Sequence, residues 1–257
     1  MKKEIERQRD SALFEGMTSL RAVLYAMESG VSDRRVVRVL LDRSRAEKKA
    51  PEYAFVRAMG EKYGFAVEDA DAHEIDALAV GTSHGGVVFE CTERTVPALT
   101  ADALAPCGFY VMLEGIEDPY NFGYAIRSIY AAGADGIVLS PRNWLTAAGV
   151  VCRSSAGASE RIPAFVAEGT EAICVFRAAG YKCVAAGIRD SVSAFDAELK
   201  KPLFLAVGGE RRGLSAALVA ECDEVVRLDY GREFPGSLSA ASAASILAYE
   251  VLRQNRG

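Results

Sequence analysis

Three stretches of the chain combine glycine with groups that can hold or stabilise charge. The first runs Glu114-Gly115-Ile116-Glu117-Asp118-Pro119-Tyr120-Asn121-Phe122-Gly123-Tyr124-Ala125-Ile126-Arg127. Asn121 can cap a helix that starts there, which leaves Arg127 about two turns inside it. Taken alone, this is either a plain cap with a surface arginine or an amide and a guanidinium aimed at a ligand. The second stretch is Gly208-Gly209-Glu210-Arg211-Arg212-Gly213-Leu214. Glycine lets backbone approach a ligand closely, and the helix start beyond the loop offers free N–H donors. An ordinary tight turn between strand and helix has the same composition. The third, Phe234-Pro235-Gly236-Ser237-Leu238-Ser239-Ala240-Ala241-Ser242, is a glycine- and serine-rich loop entering a helix of small residues. Such a helix can pack closely against another helix or against a second copy of the chain.

These loops need elements to hold them. Strands are expected at Phe109–Leu113, Gly136–Leu139, Lys182–Ala185, Leu203–Val207 and Val225–Leu228, where apolar and β-branched residues run together. Helices fit between them at about 123–132, 171–180 and 215–221, and a long one closes the chain at 240–253. Strand–helix alternation implies a parallel sheet covered on both faces. In such a sheet, ligands bind beyond the carboxyl ends of the strands, and all three stretches fall at such positions. A smaller α/β alternation precedes it: helices at about 19–28, 51–63 and 73–79, and strands at 36–41, 64–67 and 86–90. The expected organisation is therefore a small α/β domain at 1–98, a proline-bounded linker at 99–106 and a larger α/β domain at 107–257.

Composition narrows the chemistry. The 257 residues are 50% hydrophobic, enough for a sizeable core, and carry a net charge of −5, so there is no overall basic signature. The six cysteines form no CxxC pair, and His73 and His84 are the two histidines, which argues against a structural zinc site and for reduced, buried thiols. Loop 208–214 does not match the dinucleotide fingerprint GxGxxG and lacks the Gly-Lys-Ser/Thr ending of a P-loop, which disfavours a nucleotide-binding oxidoreductase. The opening Met1-Lys2-Lys3-Glu4-Ile5-Glu6 is charged where a signal peptide would be apolar, and no apolar run approaches the ~18 residues of a membrane span, so a cytoplasmic protein is expected. Residues 33–49 hold seven basic and three acidic groups. That is either a solvated mixed-charge face or the footprint of phosphate contact.

The pattern Asn-x-Gly-x-x-x-Arg at 121–127, Gly-x-Glu-x-x-Gly-Leu at 208–214 and Ser237-Leu238 before a small-residue helix resembles the three motifs of SpoU-type methyltransferases in the SPOUT superfamily. Arg153-Ser154-Ser155-Ala156-Gly157-Ala158 and Arg161-Ile162-Pro163 also look like that family, and the likeness runs in order from about Pro106 to Arg253. Gly81-Thr82-Ser83-His84-Gly85-Gly86-Val87 is similar to the His-Gln-Gly stretch near the end of the family's substrate-binding domain, a domain that resembles ribosomal protein L30e; Gly85 stands where the family usually has Gln. By itself His84 is more often a turn residue than a catalyst.

The resemblance implies a trefoil-knotted parallel-sheet domain that pairs as a homodimer through its C-terminal domain. It implies S-adenosyl-L-methionine as cofactor, held by Gly208, Leu228 and Leu238, and no metal. The reaction would be methyl transfer to a ribose 2′-hydroxyl of structured RNA, ribosomal or transfer. Asn121, Arg127, Glu210, Ser237 and Ser239 match the family's catalytic positions. A guanidinium stays protonated, so Arg127 is expected to clamp a phosphate and stabilise the developing alkoxide rather than act as a base. Arg34, Arg35 and Arg38 are the expected RNA contacts. The usual Ser-Leu-Asn-Val-Ser of the third motif is here Ser237-Leu238-Ser239-Ala240-Ala241, which opens an alternative: a catalytically weak RNA-binding relative that keeps the cofactor pocket.

Overall fold

Strands covered on both faces need uninterrupted apolar residues, and the longest such runs lie at the centre of a parallel sheet. The computed structural model describes residues 13–141, 147–233 and 235–256. The chain begins with β1 (Leu13–Glu15), α1 (Gly16–Ser29), β2 (Val36–Asp42), α2 (Ala50–Tyr63), β3 (Ala66–Ala70), α3 (Ala72–Leu78) and β4 (Val87–Cys91). It continues through β5 (Phe109–Glu114), α4 (Pro119–Ala131), β6 (Gly136–Leu139), α5 (Ala148–Ser154), α6 (Ala158–Arg161), β7 (Ala164–Val166), α7 (Gly169–Ala178) and β8 (Lys182–Ala186). It ends with β9 (Val192–Ser193), β10 (Leu203–Gly208), α8 (Ala216–Glu221), β11 (Glu224–Arg227) and α9 (Ala240–Gln254). Two compact units result: the described residues of 1–95 with those of 143–161, and those of 96–142 with 162–257.

The first unit is built on a mixed sheet of order β1-β4-β2-β3, in which β2 and β3 are parallel and the other pairs antiparallel. Its core joins Phe14, Leu20, Val39, Val56 and Phe89 with Ala148 and Cys152 from the later segment. The rings of Phe14 and Phe89 stack at 5.4 Å. Two glycines let the later segment approach. A Cβ on Gly149 would stand 1.9 Å from the carbonyl oxygen of Leu13, and one on Gly157 would stand 2.4 Å from the Cβ of Ala22. In sequence, residues 147–161 fall between β6 and β7 of the second unit, yet they complete the core of the first.

A buried ion pair ties that segment down. Arg34 is 2% exposed, donates from Nε to Glu160 at 3.1 Å and from Nη1 to the carbonyl of Thr92 at 2.8 Å, and stacks its guanidinium over Phe14. Arg94 donates to the carbonyl of Ser159 at 2.8 Å. Arg34, expected on an RNA-facing surface, is therefore an interior residue: a buried guanidinium needs a carboxylate more than an exposed one does. Most of the basic run around it is likewise paired. Arg38 meets Glu90 at 2.7 Å, Arg43 meets Asp71 at 3.3 Å, Arg45 meets Asp42 at 2.9 Å and Lys49 meets Glu52 at 2.8 Å. Arg35 is exposed, and among the described residues its side chain donates to the main-chain carbonyls of Ser32 and Arg34. His84 is a buried turn residue. Its Nδ1 accepts from the N–H of Gly86 at 3.2 Å, which leaves Nε2 to face Asp76 at 3.0 Å.

The second unit carries seven parallel strands in the order β7-β6-β5-β10-β8-β11-β9. The central strands β5 and β10 are almost wholly buried. The stretch expected as a free linker is partly docked: the N–H of Leu99 donates to Val166 at 3.0 Å, the N–H of Val166 donates to Pro97 at 2.9 Å, and Leu99 joins the core. Helix α9 packs against α4 with the stripe Ala240, Ala241, Ala244, Leu247, Ala248 and Val251 buried. The small residues of α9 therefore serve close packing within the chain. At its end, Gln254 and Asn255 exchange side-chain hydrogen bonds with the main chain of 197–201.

Of the six thiols, Cys107 and Cys174 are exposed, contrary to the expectation that all are buried. Burial pushes Cys183 up to about 12 and Cys222 up to about 11. Among the described residues no group of three or more His, Cys, Asp or Glu could hold a metal ion, and no helix is long and apolar enough to cross a membrane.

Removing one member of a buried ion pair leaves the other charged and unpaired. Arg34→Ala is expected to lower the unfolding free energy by about 3–5 kcal/mol, measured by denaturant unfolding. A loss below about 1 kcal/mol would mean Glu160 finds water and the pair is not structural.

Candidate functional site

Strand β5 delivers its last residue, Glu114, to the carboxyl edge of the sheet, where Gly115 turns the chain with φ +72°. The helix that follows starts earlier than its asparagine suggested. Asp118 is the cap: its Oδ1 accepts from the N–H of Tyr120 at 2.6 Å and of Asn121 at 3.3 Å, and Pro119 occupies the first turn. An Asp-Pro pair before an apolar helical run is a stronger start pattern than an asparagine two residues further on. Because Asp118 takes the capping role, the side chain of Asn121 is free to reach across the edge. Its Nδ2 donates to Oε1 of Glu210 at 3.2 Å.

Glu210 comes from the loop that follows β10. Strand β10 pairs with β5 so that Gly208 lies opposite Glu114. The next residue, Gly209, donates its N–H to the carbonyl of Glu114 at 2.6 Å, and Gly213 folds back to donate to Gly209 at 2.9 Å. Both leading glycines are required sterically. A Cβ on Gly208 would stand 2.3 Å from the carbonyl carbon of Gly213, and one on Gly209 would stand 2.0 Å from the oxygen of Gly115. The sequence suggested that glycine 208 kept space for a ligand; the space beside it is filled by the loop's own backbone. Two further contacts hold the loops together. Oε2 of Glu114 accepts from the N–H of Ser215 at 3.1 Å, and Arg211 meets Glu117 at 3.1 Å. Ser215 in turn caps α8 by accepting from Leu218.

The third loop leaves β11 at Leu228, which is half-buried, as is Leu238. Between them Asp229 is held below the usual carboxylate range by the Ser193 hydroxyl and the Arg227 guanidinium, the latter at 2.8 Å. The phenol of Tyr230 accepts from the N–H of Leu238 at 3.2 Å. Ser239 is the cap of α9: its Oγ accepts from the N–H of Ser242 at 3.1 Å and lies 3.0 Å from the Ser242 hydroxyl. That engagement fits a helix cap better than a reacting group. Ser237 is exposed and its side chain makes no hydrogen bond among the described residues.

Arg127 sits six residues beyond Asn121 on α4, about 9 Å further along the axis. It is exposed, and its side chain has no ion pair or hydrogen bond among the described residues. Since α4 packs against α9, the helix that carries Arg127 and the helix that Ser239 caps are neighbours. Of the expected residues, the structure thus brings Asn121 and Glu210 into contact and sets Gly208 at the same edge. Asp118, Glu114, Ser215 and Tyr230 were not singled out from the sequence, and each organises one of the loops.

The comparisons match this arrangement. An RNA methylase model described as "SpoU rRNA Methylase family" fits residues 108–249. A Mycobacterium avium protein named "Uncharacterized tRNA/rRNA methyltransferase" is 29% identical over 76% of this chain, which spans 64% of that relative's length. The Shewanella oneidensis "23S rRNA (guanosine-2′-O-)-methyltransferase RlmB" is 28% identical over 76% of this chain and 80% of its own. Among solved structures, the SpoU methyltransferase AviRb from Streptomyces viridochromogenes, in complex with the cofactor AdoMet, superposes with a TM-score of 0.75 at 25% identity, covering 96% of this chain and 92% of that one. The order of the three loops, their place at the carboxyl ends of β5, β10 and β11, and the family match across 108–249 agree: this chain belongs to the SpoU rRNA methylase family.

Proposed function

We propose that this protein is an S-adenosylmethionine-dependent methyltransferase acting on a ribose 2′-hydroxyl of structured RNA, ribosomal or transfer. The contact between Asn121 and Glu210 carries this reading, because it joins the two motif loops that the family uses at one point of the sheet edge. The half-buried Leu228 and Leu238 offer apolar side chains that suit a planar adenosine, and the backbone of Gly208 would line the same pocket. The Glu210 carboxylate offers negative charge to a cationic ligand. When bound, the cofactor supplies a methyl group on a sulfonium.

The chain's own residues then do the rest. With Nδ2 engaged by Glu210, Asn121 keeps Oδ1 as an acceptor for the ribose hydroxyl. Arg127 holds a phosphate and stabilises charge developing on the ribose oxygen. Ser237 is free to hydrogen-bond substrate or cofactor, and Ser239 acts by setting the start of α9. The module of residues 1–98 is proposed as the L30e-like substrate-binding part, with Arg35 and Arg38 as its phosphate contacts. A cytoplasmic place and the family's trefoil knot go with the same reading.

The proposed assembly is a homodimer through the C-terminal domain. Supporting it, Tyr120 and Tyr124 on α4 are 45% and 49% exposed, and Ile246 and Tyr249 on α9 are 47% and 51% exposed. Large apolar side chains left open on two packed helices are the material of a subunit contact. Sedimentation at micromolar concentration should show a dimer, and Ile246→Glu with Tyr249→Glu should shift it to monomer. A wild-type monomer would contradict the assembly.

The decisive chemical test is single-turnover methyl transfer with saturating RNA. Arg127→Ala is expected to slow the step by about 10²- to 10³-fold while cofactor affinity, read by calorimetry, stays put. Arg127→Lys should recover little of the loss, because an ammonium cannot reproduce a planar two-point grip on phosphate. Equal rates for all three proteins would make Arg127 a surface residue.

A further inference from the structure

Most cations of residues 33–49 are engaged by carboxylates, whereas several exposed arginines of the second unit have no side-chain ion pair or hydrogen bond among the described residues. The sheet order places β5, β10, β8 and β11 side by side, all parallel, so their following segments emerge at one edge. Each of those four segments carries one exposed arginine with no ion pair or hydrogen bond among the described residues. Arg127 follows β5, Arg212 follows β10, Arg189 follows β8 and Arg232 follows β11. With adjacent strands about 4.8 Å apart, the ends of β10, β8 and β11 span about 10 Å, and Arg127 is set back from them along α4. In the same loops Glu117 is matched by Arg211 and Asp229 by Arg227, while Asp118, Asp190, Glu210 and Glu233 carry the remaining negative charge. The four arginines are thus balanced by four carboxylates, and their binding power lies in free guanidinium forks rather than in net charge. A fork with five N–H donors suits the two oxygens of a phosphodiester.

We propose that Arg189, Arg212 and Arg232 extend from Arg127 as a phosphate track that holds the RNA backbone across the mouth of the site. This rests on the RNA reading above and locates its main electrostatic contact. A single-stranded segment suits the track, because its phosphates follow one another along one line, and the target ribose would enter where the line passes Arg127.

The test is the salt dependence of RNA binding by the full chain, with unmodified ribosomal RNA and unmodified transfer RNA as the two probes. The triple variant Arg189→Ala, Arg212→Ala, Arg232→Ala leaves Arg127 in place. Each phosphate contact adds roughly 0.7–0.9 to the slope of log affinity against log salt, so the triple variant should lower that slope by about 2. Calorimetry should show unchanged affinity for S-adenosylmethionine. An unchanged slope with wild-type RNA binding intact would overturn the track and leave the function reading standing. Lost cofactor affinity would place the three arginines in the cofactor pocket and overturn it too. If the wild type binds neither RNA, the substrate reading falls and the track with it.

Discussion

The site depends on one close approach of backbone to backbone. The N–H of Gly209 meets the carbonyl of Glu114 at 2.6 Å, at a point where a methyl group would lie 2.0 Å from the oxygen of Gly115. No side chain fits there, so the two strand ends can be drawn together only because glycine occupies the position. The contacts between the loops at this edge depend on that approach. It brings Glu210 within reach of Asn121, sets Ser215 beside the Glu114 carboxylate and leaves Arg211 near Glu117. A residue with any side chain at 209 would separate the loops before any catalytic group was touched.

The first unit rests on a different kind of constraint. Its core is finished by a segment that returns from far along the chain, and the junction is sealed by Arg34 and Glu160 rather than by apolar contact alone. A buried ion pair adds little net stability against a well-packed apolar alternative, but it is intolerant of misplacement. Arg34 meets a carboxylate, the Thr92 carbonyl and the Phe14 ring together, so few alternative dockings of residues 147–161 would satisfy it.

Much of this was legible in the sequence where the pattern is local and long. The central strands β5 and β10 stand out because five or six apolar residues run without a break, and α9 because its small and apolar residues recur at helical spacing. What escaped was short or distant. Strands β1, β7 and β9 have three, three and two residues, too few for a period to show. Helices α5 and α6 lie in a run of Ala, Gly and Ser that has no strong apolar stripe. Arg34 looked like a surface cation because its partner is 126 residues away, beyond any local count of charge. Asn121 has the residue type of a cap, but Asp118, three residues earlier and followed by proline, caps the helix. The motif residues themselves were found because spacing survives folding; their contacts were not, because contact depends on which strands become neighbours.

The interleaving of the two units governs the order in which the protein can be made. A ribosome that has released residues 1–95 has supplied four strands and three helices of the first unit, but not Ala148, Cys152 or Glu160. Until residue 161 has emerged, Arg34 waits without its carboxylate and one face of β1 without its cover. By then β5, α4 and β6 of the second unit are already outside the ribosome, unable to close their sheet before β10 arrives to pair with β5. The nascent chain therefore carries two unfinished cores at once, and a fragment cut at residue 98 would keep the first of them permanently open.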